Sequence, residues 1–219
     1  MEPIMLRILL ADDHDVVRRG LRDQLASHEG WAVCGEARDG REAVKLALEL
    51  KPDVVVLDFS MPELNGLEAT RQIRRELPRT EVLIFTMHET DQLIREVLAA
   101  GARGYVLKSD AGLHLNQAVE ALAHHKPFFT AKVSQALLDA FLKSEAKPDE
   151  GSVFRTLTGR EREIVQMLAE AKSNKEIANQ LSISVKTVET HRATVMRKLE
   201  INSIVELVHY AIRNQLVAA

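Results

Sequence analysis

Five residues suited to handling a phosphoryl group stand at the ends of apolar runs. Asp12 and Asp13 follow Leu6–Ala11, and Asp58 ends the run that begins at Val54. Thr86 ends the run from Val82, and Lys108 follows Gly104–Leu107. Three carboxylates gathered in one cleft repel one another unless a cation neutralises them. Hard oxygen ligands without paired His or Cys indicate Mg²⁺, which keeps several waters and needs few protein oxygens. A carboxylate can attack a phosphoryl group and become an acyl phosphate. A lysine and a metal ion can stabilise charge on the transferring group, and a threonine hydroxyl can donate to a phosphoryl oxygen. Each residue also has a plainer use. Asp58 can cap a loop, Asp12 or Asp13 can cap a helix, Thr86 can be an ordinary strand end, and Lys108 can be solvated. The combination is more specific than any member.

The elements that must position these residues are legible in the hydrophobic pattern. Val54-Val55-Val56-Leu57 has no polar alternation, which fits a strand covered on both faces in a parallel sheet. Leu6–Ala11, Trp31–Ala37, Val82–Thr86 and Gly104–Leu107 read as four more strands. Helices are expected over Asp15–His28 (Val16, Val17, Leu21, Leu25), around Ala43–Leu50, from Asn65-Gly66 to Leu77, over Asp91–Ala100, and from Gly112 to His124. Five alternations of strand and helix predict a five-stranded doubly wound parallel sheet in an α/β fold. Ligands of such sheets bind beyond the carboxyl ends of the strands. That edge is where the five residues fall.

Length and composition set the outer bounds. The 219 residues are 46% hydrophobic and 28% charged, enough for one or two domains with their own cores. No apolar segment approaches the roughly 20 residues that span a bilayer. The N-terminus enters a strand pattern without the features of a signal peptide, so a cytoplasmic protein with no membrane partner is expected. The single cysteine, Cys34, lies in an apolar run and reads as a small buried hydrophobe. From Val153 onward there are ten Lys and Arg against seven Asp and Glu; before it there are nineteen against twenty-five. An acidic first part and a mildly basic second part suggest different partners.

After the fifth helix, Pro127-Phe128-Phe129 breaks the pattern. An amphipathic helix capped by Thr130 is expected to Lys143, followed by a polar linker over Ser144–Ser152. The expected partition is residues 1–126, a connector over 127–152, and a second domain over 153–219. That second domain reads as four short helices. Thr158 with Glu161 forms a capping box ahead of the stripe Ile164, Val165, Leu168 and Ala169. Ser173-Asn174-Lys175 opens a short helix, Ser182-Ile183-Ser184 makes a tight turn, and Lys186-Thr187-Val188 starts a longer helix to Leu199. Short helix, turn and longer helix constitute a helix-turn-helix. Its second helix would place Lys186, Thr187, Glu189, Thr190, Arg192 and Ala193 toward the major groove, with Val188, His191, Val195 and Leu199 inward. A protein-binding helical module with a solvated charged face is the plainer alternative.

On these motifs, residues 6 to 124 resemble the receiver domain of two-component response regulators. The matching features are Asp12-Asp13, Asp58, Met61-Pro62, Asn65-Gly66, Thr86 and Lys108. Residues 155 to 213 resemble the LuxR-type helix-turn-helix of the NarL/FixJ branch. Here the match rests on Leu157-Thr158 with Arg160-Glu161-Arg162-Glu163, on Ser173 to Ala178, and on Thr187-Val188-Glu189-Thr190-His191 with Lys198-Leu199. The resemblance implies a flavodoxin-like receiver followed by a small all-α domain. It implies a DNA-binding transcriptional response regulator phosphorylated on Asp58 by a sensor histidine kinase. By the same resemblance Asp12, Asp13, Asp58 and the Ser60 carbonyl hold Mg²⁺, Thr86 and Lys108 bind the phosphoryl oxygens, and Tyr105 is the aromatic switch. Lys175 joins the DNA-contacting residues. The last helix, with Ile204, Val205, Val208 and Ile212, would form a homodimer on double-stranded promoter DNA.

Three positions depart from the family pattern. Met87 stands where a small residue is usual, and shielding of the pocket would give a long-lived phosphorylated state. Ala171 stands where many members carry glycine, and Glu189 where lysine is frequent. His14 and His88 lack ligand partners in sequence and read as polar rim residues. An aspartyl-phosphate phosphatase would need an acid or base near the nucleophile, and Ser60, two residues on, offers no carboxylate. A nucleotide-binding module would need a glycine-rich loop after the first strand, where there is none. A DNA binder with a vestigial receiver would not need the intact acidic set and Lys108.

Overall fold

Apolar runs without alternation become buried parallel strands here. In a computed structural model of the chain, residues 5–131, 133–135, 138, 157–214 and 216–217 are described. They form two compact units. The first contains β1 (Leu6–Ala11), α1 (Asp15–Ala26), β2 (Trp31–Ala37), α2 (Gly40–Leu50), β3 (Val54–Leu57) and α3 (Gly66–Glu76). It continues with β4 (Glu81–Thr86), α4 (Asp91–Ala99), β5 (Gly104–Leu107), a 3₁₀ turn over Lys108–Asp110, α5 (Ala111–Ala123) and β6 (Phe128–Phe129). All pairings are parallel, in the order β2-β1-β3-β4-β5-β6. Residues Val54–Leu57 are fully buried, as expected of a strand covered on both faces.

The sheet has six strands rather than five. Pro127 cannot continue a helix, and Phe128-Phe129 instead pairs with Gly104 and Tyr105 at the free edge of β5. Thr130 then accepts from the Val133 N–H at 3.4 Å, and its carbonyl takes the Ser134 N–H. These bonds open the connector helix; most of its expected course to Lys143, and the linker, lie outside the described residues.

Register and caps place the strand ends. Ala11 pairs with Leu57, so Asp12 and Asp58 leave adjacent strands at one level. The β1/β3 junction is the point where strand order reverses, the usual ligand crevice of such sheets. Asp39, Asn65 and Thr90 each cap a helix by accepting from the N–H three residues on. Gly66 is required by close approach. A Cβ there would stand 2.2 Å from the Asp58 carbonyl oxygen and 2.9 Å from Phe59 Cα. The inward face of α1 differs from the expected stripe. Val16 is exposed, and Arg18 joins Leu21 and Leu25 on the buried face.

The second unit contains α6 (Gly159–Ala169), α7 (Asn174–Gln180), α8 (Val185–Lys198) and α9 (Ile204–Arg213). Residues 161–168 of α6 are all buried, so this helix is the centre of the unit rather than a one-sided stripe. Ala169, expected inward, is half-exposed, and Met167 is buried instead. The expected capping box of Thr158 with Glu161 forms completely, and Ser173 with Glu176 forms a second, unforeseen one. Ala171 adopts φ 61°, the left-handed conformation that favours glycine. On α9 the buried residues are Leu207 and Ala211; Ile204 and Val205 are exposed, and Val208 and Ile212 half-buried. No described helix is long and apolar enough to cross a membrane.

Candidate functional site

The β1/β3 edge gathers the expected acidic set around one cation. Lys108, in the 3₁₀ turn after β5, places Nζ 2.7 Å from Asp12 Oδ2 and 2.8 Å from Asp58 Oδ2. Asp12 and Asp58 are both buried, and Asp13 is partly exposed. The His14 N–H donates to Asp12 Oδ1 at 2.8 Å, and His14 Nδ1 lies 2.8 Å from Asp13 Oδ1. One ligand atom from each of Asp12, Asp13, His14 and Asp58 lies within 4.8 Å of the others. Two carboxylates share the Lys108 ammonium and Asp13 stands beside them, so the pocket has the donor set for a hard divalent cation.

Burial pushes Asp58 up to about 6, with Asp12 adding to the rise, while the charge and hydrogen bond of Lys108 hold it down. Burial acts to lower Lys108, but Asp58 and Asp12 outweigh it and its ammonium is held more tightly than usual. Asp58 therefore stays ionised at neutral pH while remaining more basic than an exposed aspartate.

Two further expected residues meet at His88. Thr86, fully buried, accepts from the His88 N–H at 3.2 Å through its hydroxyl oxygen. The Tyr105 hydroxyl donates to the His88 carbonyl. Tyr105 is wholly buried, and burial raises its hydroxyl pKa, with Glu89 adding to the rise. Ser60 Oγ and His88 Nε2 are 2.8 Å apart, and the His88 ring stands edge-on to Phe59. Burial, with Lys108 nearby, lowers the imidazole. His88 is thus an integral part of the pocket wall and departs from the expected polar rim residue. Exposed His14 sits at the rim as expected, in contact with the acids. Met87 is 69% exposed, which does not support the shielding expected of it.

Arg18 was not foreseen. Its Nη1 donates to the Asp12 carbonyl at 2.7 Å, Nε to Glu36 Oε2 at 3.2 Å, and Nη2 to Asp15 Oδ1.

In the helical unit, Ser184 caps α8 by accepting from the Thr187 N–H at 3.0 Å. Its hydroxyl also lies 2.8 Å from that of Thr187, and the Thr190 hydroxyl donates to the Lys186 carbonyl. Both threonine hydroxyls thus have local partners, whereas Lys186 and Glu189 stand exposed on the helix. Lys175 and Arg192 line one shallow cleft with Ser173, Asn174, Val185 and Ile204. At the far end of α8, Lys198 pairs with buried Glu161 at 2.7 Å.

Comparison with known proteins agrees with both halves of this geometry. Residues 8–120 match the family model "Response regulator receiver domain", and residues 155–211 match "Bacterial regulatory proteins, luxR family". The transcriptional regulatory protein LiaR of Bacillus subtilis is 40% identical over 97% of this chain and 100% of its own. The response regulator GacA of Pseudomonas aeruginosa is 38% identical over 98% and 99%. Among solved structures, a LuxR-family two-component response regulator from Aurantimonas aligns with TM-score 0.60 and 38% identity, over 63% of this chain and 99% of its own. RcsB of Salmonella enterica, solved bound to promoter DNA with the phosphomimetic BeF₃⁻, aligns with TM-score 0.61 and 27% identity, over 94% and 98%.

Proposed function

The chain belongs to the response regulators that join a receiver to a LuxR-type DNA-binding domain, a family of transcriptional regulators rather than enzymes, and on that premise we propose that Asp58 is its phosphoacceptor. The Asp58 carboxylate attacks phosphorus; the bond from phosphorus to the donor nitrogen of a sensor kinase histidine breaks as the aspartyl bond forms. The observation that carries this is the Lys108 ammonium shared between Asp12 and Asp58 in a buried, acid-rich pocket at the sheet's switch point. Asp12, Asp13, Asp58 and the Ser60 carbonyl would hold Mg²⁺, which supplies charge neutralisation on the transferring group. Among the described residues the Thr86 O–H has no acceptor, so it is available to a phosphoryl oxygen. Drawing Thr86 toward that oxygen would withdraw the acceptor of the His88 N–H, and Tyr105 holds the carbonyl of the same residue. This makes the His88 main chain the link from pocket to switch.

We assign the receiver to residues 1–126, the connector to 127–152 and the DNA-binding domain to 153–219. Lys186, Thr187, Glu189, Thr190 and Arg192 of α8, with Lys175, would face double-stranded promoter DNA. Ile204, Val205, Val208 and Ile212 of α9 would form the homodimer contact; the exposure of Ile204 and Val205 supports this. The protein would act in the cytoplasm. Gel-shift binding to a panel of duplex DNA, with and without a phosphoryl donor plus Mg²⁺, tests the coupling. Tightening in wild type and not in Asp58→Asn is expected. Equal binding by both proteins under both conditions would overturn phosphorylation control.

A further inference from the structure

We propose that Arg18 is a positioning residue for the acidic pocket: by holding the main-chain carbonyl of Asp12, it sets the carboxylates that take up the divalent cation. The inference rests on the reading of that pocket as a Mg²⁺ site.

Like α5, the helix that follows the acidic pair lacks the side-chain cap that α2, α3 and α4 carry. At the start of α2, α3 and α4 a side chain accepts from the N–H three residues on. At α1 the corresponding residue is His14, which makes no side-chain cap. The Asp12 N–H is tied to the Ala37 carbonyl at 3.2 Å, which leaves the Asp12 carbonyl to be held from α1. Arg18 is 6% exposed, an unusual depth for a charged side chain on a surface helix. Its planar fork reaches three places at once: the Asp12 carbonyl at the end of β1, Asp15 in the first turn of α1, and Glu36 on β2. The Asp12 carboxylate is in turn aimed by two contacts, the His14 N–H on Oδ1 and Lys108 on Oδ2. Both presuppose that the Asp12 main chain is held. Groups that orient metal ligands in this way typically contribute about 10–100-fold to metal affinity.

The sign of the effect separates positioning from plain electrostatics. A guanidinium near an acidic pocket repels Mg²⁺, so by Coulomb's law alone its removal tightens binding. If Arg18 positions the loop, its removal loosens binding. Arg18→Lys keeps the charge and loses the three-way fork, so it loosens binding under positioning and leaves it unchanged under electrostatics. Arg22 supplies the control. It also pairs with Glu36, at 3.2 Å, but among the described residues no hydrogen bond joins it to the loop.

The experiment is calorimetric titration of the full chain with MgCl₂ at fixed ionic strength, alongside the thermal midpoint of each variant in EDTA. The expected result is loosening by about tenfold or more in Arg18→Met and Arg18→Lys, with Arg22→Met close to wild type. Tightened or unchanged affinity in the Arg18 variants would overturn the proposal. So would equal loosening in Arg22→Met, which would reduce Arg18 to a tie between α1 and β2. Should Arg18→Met fail to fold, Arg18→Lys decides. If wild type takes up no Mg²⁺, or Asp12→Asn takes it up as well as wild type, the reading of the pocket itself falls and the inference with it.

Discussion

In each unit a lysine pairs with a buried carboxylate, Lys108 with Asp58 and Lys198 with Glu161, and the two carboxylates behave in opposite ways. Asp58 and Glu161 are both nearly closed to solvent, with lysines at 2.8 and 2.7 Å, but Asp58 lies far deeper beneath the surface than Glu161. Yet Asp58 is pushed up to about 6, while Glu161 is held below its ordinary value. Burial raises both. The difference lies in depth and in company. Asp58 shares its lysine with a second carboxylate, Asp12. Glu161 has Lys198 to itself and also accepts the Thr158 N–H at 2.7 Å, as half of a capping box. Depth and a surplus of acids together keep an acid raised and available for chemistry, whereas a shallow site with several donors holds it ionised in a structural role.

The largest test of this contrast is to remove each acid. Asp58→Asn should abolish phosphoryl uptake from a small-molecule donor with Mg²⁺, read on a phosphate-affinity gel. Glu161→Gln should take up the phosphoryl group like wild type and lose stability instead. Uptake surviving in Asp58→Asn would move the acceptor elsewhere and end the contrast.

Removing the lysines should separate the pairs next. Lys108→Met leaves two buried carboxylates without a cation, a change that costs about 3–5 kcal/mol when a buried pair is broken. Mg²⁺ should restore part of that loss. Lys198→Met should cost about 1 kcal/mol or less, because the Lys198 side chain is 32% exposed and Glu161 keeps its cap. Added Mg²⁺ should not restore it. Chemical denaturation of both variants in EDTA and in Mg²⁺ gives the comparison, and equal losses would erase it.

The pH dependence should run in opposite directions. The folded pKa of Asp58 is raised, from 3.8 to about 6. In that window the folded protein keeps a proton that the unfolded chain has released, so stability falls as pH rises from about 4 to about 6 in EDTA. At about 1.4 kcal/mol per unit, the loss is at most about 3 kcal/mol. Glu161 is lowered below 4.5. Its contribution is present above 4.5 and is lost as pH falls through the folded value. Asp58→Asn should remove the first slope and Glu161→Gln the second. Slopes that persist in these variants would assign the linkage to other groups.

The contrast also explains what was legible before the structure. The capping box of Thr158 with Glu161 was, because it is a local spacing with a local partner; Ser173 with Glu176 has the same spacing, though only its helix start was read. The strand ends were, because an apolar run broken by Asp58 marks both the strand and its edge. Depth and pairing were not. In α1 the pattern favoured Val16, whereas the helix turns Arg18 inward, since an arginine with three acceptors can be buried and a valine can stay in water. The Ser60–His88 contact spans 28 positions and leaves no local trace. β6 is two residues long, too short for any period to register. Tyr105 lies in a strand buried on both faces, where alternation carries no information about depth.

The smallest test uses the two ends of one helix. Lys198, near the end of α8, is committed to Glu161, whereas Lys186, near its start, is exposed and has no ion-pair partner among the described residues. A lysine that meets a DNA phosphate releases about one counterion, which appears in the salt dependence of binding. Lys186→Met should therefore weaken binding to all sequences alike and lower the salt slope by about 1. Lys198→Met should leave the slope where it was, because its charge is already used within the fold. Fluorescence anisotropy of a labelled duplex across a salt series reads both. A reduced slope in Lys198→Met would mean that the pair opens on DNA. Glu161 would then be left buried without its lysine, holding only the Thr158 cap, and the structural half of the contrast would become part of the binding surface.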